Sequence, residues 1–469
     1  MNPSMNRRRF LTLGGAGALG AMGFGLSASA ASPPGNPRGR IPVGEQWATL
    51  VSDHGKPIKK VGLIATDGYA SMPKGSKPHD PFYPDPIAPD GTDTYIFGFR
   101  NVTGLNRGQV EGQRGLTQIS APIEFCTAGE EMWITLSNLG LSIRPDLVDS
   151  HTLHWHGFRN AIPFYDGVPE SSISVPIGRD FTYVFQPATD DWGTYMYHCH
   201  FEDVEHVTMG MSGIVFVAPS DAQLAPSVKL NGYKSAAYGQ HQSSGGTGGS
   251  SYGDSAGASA FHRQYVILLT EIDSRAHFND GHIQATDWTD WTANFWCMNG
   301  RAYPDTLAPN GSQDATGVPL APVGYPASIS SANDTGTYDH LAHQPNSSLI
   351  VGQSGEHVLV RLANLGFQEQ SLSLPGLPMR IVGSDARFRD QDNSVRVDTI
   401  DIGPGESRDV IIELPTVTTK TEFPFFNRDV AKYPGIDGDQ WSGGQRTHVV
   451  VVPTGTLKPQ GDPNTVEHV

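Results

Sequence analysis

Six histidines, one cysteine and two methionines fall within two short stretches of this chain, HTLHWHG at 151–157 and YHCHFEDVEHVTMGM at 197–211. A thiolate, two imidazoles and a weak axial thioether form the donor set of a blue-copper electron-transfer site. Cys199, His206 and Met211 supply three of those donors from one run, and His151 from an earlier segment supplies the fourth. Met211 is preferred to Met209 because a short returning loop must present His206 and the axial ligand from opposite ends of one turn. A single buried histidine would ordinarily be packing, but packing does not explain four ligand types arriving together. Bound to copper, Cys199 has to be a thiolate.

Strands must bring these two segments together. Runs rich in β-branched and aromatic residues recur at GLTQISAPIEF, EEMWITLSNL, DFTYVFQPA, GTYMYHC and GIVFVAP, with turn residues between them, and again from residue 261 at QYVILLTEI, SRDVIIELP and RTHVVVVP. This pattern predicts an all-β chain of β-sandwiches. An internal repeat is visible: SAPIEFCTAGEEMWITLSNLG in the first half resembles NSSLIVGQSGEHVLVRLANLG in the second, each ending in Asn-Leu-Gly. Residues 236–260 are dominated by Gly, Ser and Ala, a composition expected of a flexible linker. The segment 40–110, rich in Pro, Asp and Gly, is expected as an extended N-terminal arm.

Both metal-binding segments closely resemble the copper motifs of the multicopper oxidase and copper nitrite reductase superfamily of cupredoxins. So do Asp166-Gly167-Val168-Pro169-Glu170, the approach Gly193 to Tyr197, and Met298-Asn299-Gly300-Arg301 in the second half. The resemblance implies two cupredoxin-like Greek-key sandwiches joined by the Gly/Ser-rich linker. A copper-binding domain with its arm would span 40–220, and a second domain 261–455. By the same resemblance His151 belongs to the type 1 site, while His154, His156, His198 and His200 face a second copper centre, of type 2 or type 3. His198-Cys199-His200 would then carry electrons from an external donor to that centre, with dioxygen as acceptor. The Cys-to-His interval, Cys199 to His206, is two residues longer than in common laccases. Two-domain members of the superfamily form trimers, so association of copies is a further expectation.

The second half departs from the pattern. Where the family brings histidines, it reads FQEQSLSLPGLPMRIVGSDA (367–386) and FPFFNRDVAKYPG (423–435), with Asn427-Arg428-Asp429 at the ligand position. Three readings follow: an oxidase whose spare histidines bind copper with help from the first domain of another copy or from other histidines of the chain, a nitrite reductase-like type 2 site in which His156 and His198 are joined by His340 or His343 of a neighbouring second domain, and a blue-copper protein that carries electrons or binds copper without turnover. Four spare imidazoles at this spacing favour the oxidase.

Bulk properties narrow the partners. A formal charge of -16 argues against nucleic acid and anionic membranes. Only three cysteines are present, Cys126, Cys199 and Cys297, so disulfide stapling is not the design. Arg7-Arg8-Arg9-Phe10-Leu11 ahead of a Gly/Ala/Leu-rich stretch ending at Ala28-Ser29-Ala30 predicts a twin-arginine leader over residues 1–30 and export to the periplasm or beyond. No later stretch has the apolar length of a membrane span. Glu202, Asp203 and Glu205 lie between Cys199 and His206, and oxygen donors suit hard cations such as Fe(II) or Mn(II). The electron donor is therefore expected to be such an ion or a small molecule such as a phenol or aromatic amine.

Overall fold

The computed structural model describes residues 55–73, 80–158, 164–241, 252–322, 338–390, 392–434 and 442–466. The leader expected over residues 1–30 lies outside them.

The first half is a sandwich of two four-stranded sheets. One contains β1 (Ile58–Ala70), β2 (Thr94–Asn101), β4 (Glu131–Asn138) and β6 (Asp180–Phe185), in the order β2-β1-β4-β6. The other contains β3 (Glu124–Thr127), β5 (His154–Trp155), β7 (Gly193–His198) and β8 (Ser212–Ala218), in the order β3-β8-β7-β5. Leu63, Phe97, Met132, Ile134, Tyr183 and Val215 belong to the core between them. The expected N-terminal arm is thus corrected, because segment 40–110 contributes β1 and β2, two paired strands of the first sheet.

The Gly/Ser-rich linker is ordered at both ends, which also differs from expectation. β9 (Ser235–Ala236) pairs with β12 (Ala260–Phe261), and β10 (Gln240–His241) with β11 (Tyr252–Gly253). Between β9 and β10, Tyr238 is fully buried and donates to Asp409 Oδ2 across 2.6 Å. A buried hydroxyl with a carboxylate partner holds that end in place.

The second half is a larger sandwich. Its first sheet takes β13 (Arg263–Ile272), β14 (Phe295–Met298), β18 (His357–Asn364), β20 (Met379–Ser384), β21 (Arg387–Phe388), β22 (Val395–Val397) and β24 (Ser407–Glu413). The second takes β17 (Ile350–Gln353), β19 (Gln370–Ser373), β23 (Thr399–Ile402), β25 (Thr421–Asn427) and β26 (Arg446–Val452), with a small hairpin of β15 (Ser312–Gln313) and β16 (Pro319–Leu320) outside both. Every residue of β13 is buried, and side-chain alternation explains why. Tyr265, Ile267 and Leu269 enter the second core, while Val266 and Leu268 pack with Met196, Ile214 and Phe216 of the first half.

The two halves repeat one plan in atomic detail. Asn138 Nδ2 donates to the carbonyls of Asp149 and Val175, and its Oδ1 accepts from Gly140 N. Asn364 does the same toward Gln368, Ile402 and Gly366. Both Asn-Leu-Gly turns therefore end a strand at the same structural place. No helix among the described residues is long and apolar enough to cross a membrane.

Candidate metal centre

Strand periodicity separates the two sets of donors. Neighbouring residues of an extended chain point to opposite faces, so Leu153, Trp155, Tyr195, Tyr197 and Cys199 share the core side. The alternate positions, His154, His156, His198 and His200, then share the other side. β5 pairs with β7 so that His154 stands opposite His198 and Trp155 opposite Tyr197, and Trp155 stacks on Phe185 at 3.7 Å between ring centroids.

On the core side, Cys199 Sγ lies 3.2 Å from His206 Nδ1 and 3.8 Å from His151 Nδ1, and all three residues are fully buried. His151 is placed by a bridge to Val175. His206 is carried on the helix Asp203–Met209, which takes up the lengthened Cys-to-His interval. That helix starts after Glu202 in the left-handed region at φ 47 and stops at Gly210 at φ 123. Just beyond it, Met211 N donates to His206 O (2.9 Å) and Met211 O accepts from Cys199 N (3.1 Å), so its backbone is tied to both ligand residues. Met209, also buried, is the last residue of the helix.

Burial, with His206 adding to it, pushes the His151 imidazole well below its usual range. Burial acts the same way on His206, but the Cys199 sulfur and the Asp149 carboxylate 3.8 Å away outweigh it and raise that ring to about 10. One sulfur and two Nδ1 atoms, all within 4.8 Å of one another, have the spacing of donors converging on one ion through bonds of about 2.0–2.3 Å. The softness of the set fits copper.

On the other face, single nitrogens of His154, His156 and His198 also lie within 4.8 Å of one another. His198 Nδ1 donates to Cys199 O (2.7 Å) and His154 Nδ1 to Asp166 O (2.7 Å). These carbonyl bonds fix each tautomer and leave Nε2 as the free donor atom. His198 Nε2 lies 2.9 Å from His156 Nε2. Burial lowers His154, takes His156 to about 4 and His198 to about 3, so these rings stay neutral and ligand-competent near neutral pH. The His200 ring centroid lies 5.0 Å from that of His154, and its amide donates to Thr152 Oγ1. It stands beside the trio.

The two second-half histidines each use one ring nitrogen within this chain, and neither joins the trio. His340 Nε2 pairs with Asp305 Oδ1 (2.9 Å), and His343 Nδ1 donates to Thr117 O (2.8 Å). Cys126 and Cys297 are buried free thiols. Sequence reasoning missed Asp149, which with Glu202 and His206 forms a third group of converging donor atoms. A lone aspartate two residues ahead of a ligand histidine gave no signal by itself.

Residues 126–222 match one multicopper oxidase family pattern and residues 280–452 another. Among solved structures, the chain is similar to a blue copper oxidase from Nitrosomonas europaea, 18% identical with a TM-score of 0.52, over 84% of this chain and 86% of that one. It is also similar to the multicopper oxidase mgLAC, 17% identical with a TM-score of 0.53, over 86% of this chain and 88% of that one. No curated protein matches it. At such identities the structural likeness speaks for the fold. With its family patterns together spanning more than half of the residues, the chain belongs to the multicopper oxidase superfamily of cupredoxin-fold proteins, the copper-dependent oxidoreductases.

Proposed function

We propose that the protein is an exported oxidase that accepts single electrons from an external donor beside His206 and passes them by way of Cys199 to a second copper centre, with dioxygen as terminal acceptor. Copper, when bound, supplies the one-electron couple at both positions. Cys199 and His198 are consecutive residues on opposite faces of one strand, so the peptide between them is a short bonded path from the first donor set to the second. The 2.7 Å hydrogen bond from His198 Nδ1 to Cys199 O adds a second path. Full burial of Cys199 and His206 excludes water from the first set.

The single observation supporting turnover over simple electron carriage is the trio of His154, His156 and His198 within one chain. On the donor side, half-buried Asp149 and exposed Glu202 bring carboxylate oxygens within 4.8 Å of a nitrogen of buried His206, which suits a hard reducing cation such as Fe(II) or Mn(II). The leader over residues 1–30 is proposed to direct export.

A copper count per chain, taken with visible and paramagnetic resonance spectra and oxygen uptake, tests this reading. One blue copper with further copper and oxygen consumption is expected. A single blue copper without turnover would make the protein an electron carrier, and nitrite reduction at one additional normal copper would make it nitrite reductase-like.

A further inference from the structure

A cavity of about 470 Å³ opens where the connecting segment meets the second sandwich. It lies between residues 227–233 and 256–258 on one side and His357, Arg380, Arg396 and Glu413 at the end of a sheet on the other. None of the copper-donor histidines lines it. Its volume falls in the range of about 300–1,000 Å³ that small organic ligands occupy.

The sheet register puts charge in this cavity. Arg380 of β20 stands directly opposite Arg396 of β22, and His357 of β18 directly opposite Glu413 of β24. Like charges placed directly across two strands repel. The one carboxylate near both arginines is shared unequally, since Glu413 Oε1 is 2.7 Å from Arg396 Nη2 but 3.6 Å from Arg380 Nε. Arg380 is the more enclosed of the two, its side chain 11% exposed against 54% for Arg396. Burial pulls the Arg380 guanidinium below its usual range, Glu413 opposes this, and Arg396 adds to it. Asp254 is turned instead onto the amides of Ala258 and Ser259 and the Ser259 hydroxyl. Burial also lowers His357, which therefore adds no charge near neutral pH. Two guanidiniums against one carboxylate leave one positive charge over, and the planar donor fork of Arg380 holds its nearest acid only loosely.

One wall is aromatic. Tyr233 packs against the rings of His357 and His262, at 5.1 Å and 4.6 Å between centroids. We propose that this cavity binds a small aromatic carboxylate, with its carboxylate on the guanidiniums of Arg380 and Arg396 and its ring against Tyr233 and His357. A guanidinium fork meets a carboxylate through two parallel hydrogen bonds, and a bound carboxylate supplies the negative charge that two facing arginines lack. An aromatic ring fills space that a bare inorganic anion, a few waters in size, would leave empty. The bound ligand clasps the connecting segment to the second sandwich, and nothing in its binding depends on copper.

Full-length copper-loaded protein is titrated calorimetrically with benzoate and, separately, with inorganic phosphate. The expected result is one benzoate per chain with a Kd of about 1 mM or lower, phosphate binding weaker by about tenfold or more, and benzoate affinity reduced to the same extent in Arg380→Gln. An absence of benzoate binding up to about 10 mM overturns the inference. So does phosphate binding as tight as that of benzoate, or a benzoate affinity that Arg380→Gln does not weaken to that extent. Should Arg380→Gln not fold, Arg396→Gln, at an exposed position, decides in its place by the same criterion.

Discussion

His198 and Cys199 are joined twice, by their peptide bond and by a hydrogen bond of 2.7 Å from the His198 ring to the Cys199 carbonyl. The backbone that presents the sulfur to one donor set therefore also orients an imidazole of the other. Replacing Cys199 with Ser should abolish the thiolate–copper absorption and bring turnover to background. The trio of His154, His156 and His198 should still take up metal. Absorption and metal analysis on the same sample check both expectations, and a surviving absorption band would show the ligand assignment to be wrong.

Gly167 packs against the segment that leads into β5 and carries His151 and His154. It sits at φ +77, and a Cβ there would lie 2.2 Å from the carbonyl oxygen of Leu153, between Thr152 and His154. Gly167→Ala must push the 151–156 segment aside, at a cost of more than about 2 kcal/mol, and should reduce copper loading. Gly178 is the control, since at φ +71 a Cβ meets nothing within 4 Å. Gly178→Ala should cost only the left-handed strain of about 1–2 kcal/mol and leave loading intact. Thermal unfolding with copper quantitation separates the two.

The acidic edge should matter for cations alone. Converting Glu202, Asp203 and Glu205 to amides is expected to lower kcat/KM for ferrous or manganous oxidation about tenfold, roughly 1.4 kcal/mol of lost interaction. Oxidation of a neutral phenol should change little. Steady-state kinetics with both donors check this, and unchanged ferrous kinetics would remove the cation reading.

Asp280 gives the fold a dependence on pH. It is 6% exposed, one carboxylate oxygen lacks a hydrogen-bond partner among the described residues, and Arg144 lies 3.6 Å from the other. Burial, followed by the nearby Glu205, raises it to about 7 from an ordinary value of 3.8. Between those values the folded state holds a proton that the unfolded state has released, so stability is highest at the acid end and falls as pH rises, by up to about 1.4 kcal/mol per pH unit. Asp280→Asn should flatten this part of the profile. Denaturant midpoints measured from pH 4 to 8 read it directly.

Much of the site was legible because metal ligation demands particular side chains at particular intervals, and a strand's alternation turns those intervals into faces. The Asn-Leu-Gly repeat was legible for a related reason, since Asn138 and Asn364 each close a turn with their own side chains. β1 was not legible, because its polar positions are satisfied at long range. Asp67, buried mid-strand, accepts from the amides of Ser142 and Ile143 and from the Tyr95 hydroxyl. Local composition cannot report partners that far along the chain. Tyr238 was hidden in the same way, since its reason for burial is Asp409, far along in the other half.

Asp409 also accepts from Thr194 of β7 and pairs with buried Arg361, whose guanidinium lies 4.4 Å from the Phe216 ring centre. One end of β7 is thereby pinned to the neighbouring sandwich, while its other end delivers His198 and Cys199. The second half, which brings no group of metal-donor atoms together among the described residues, thus serves as an anvil for the ligand strand. Cutting the chain after the connecting segment would leave every donor in the sequence and yet unfasten the strand that aims them.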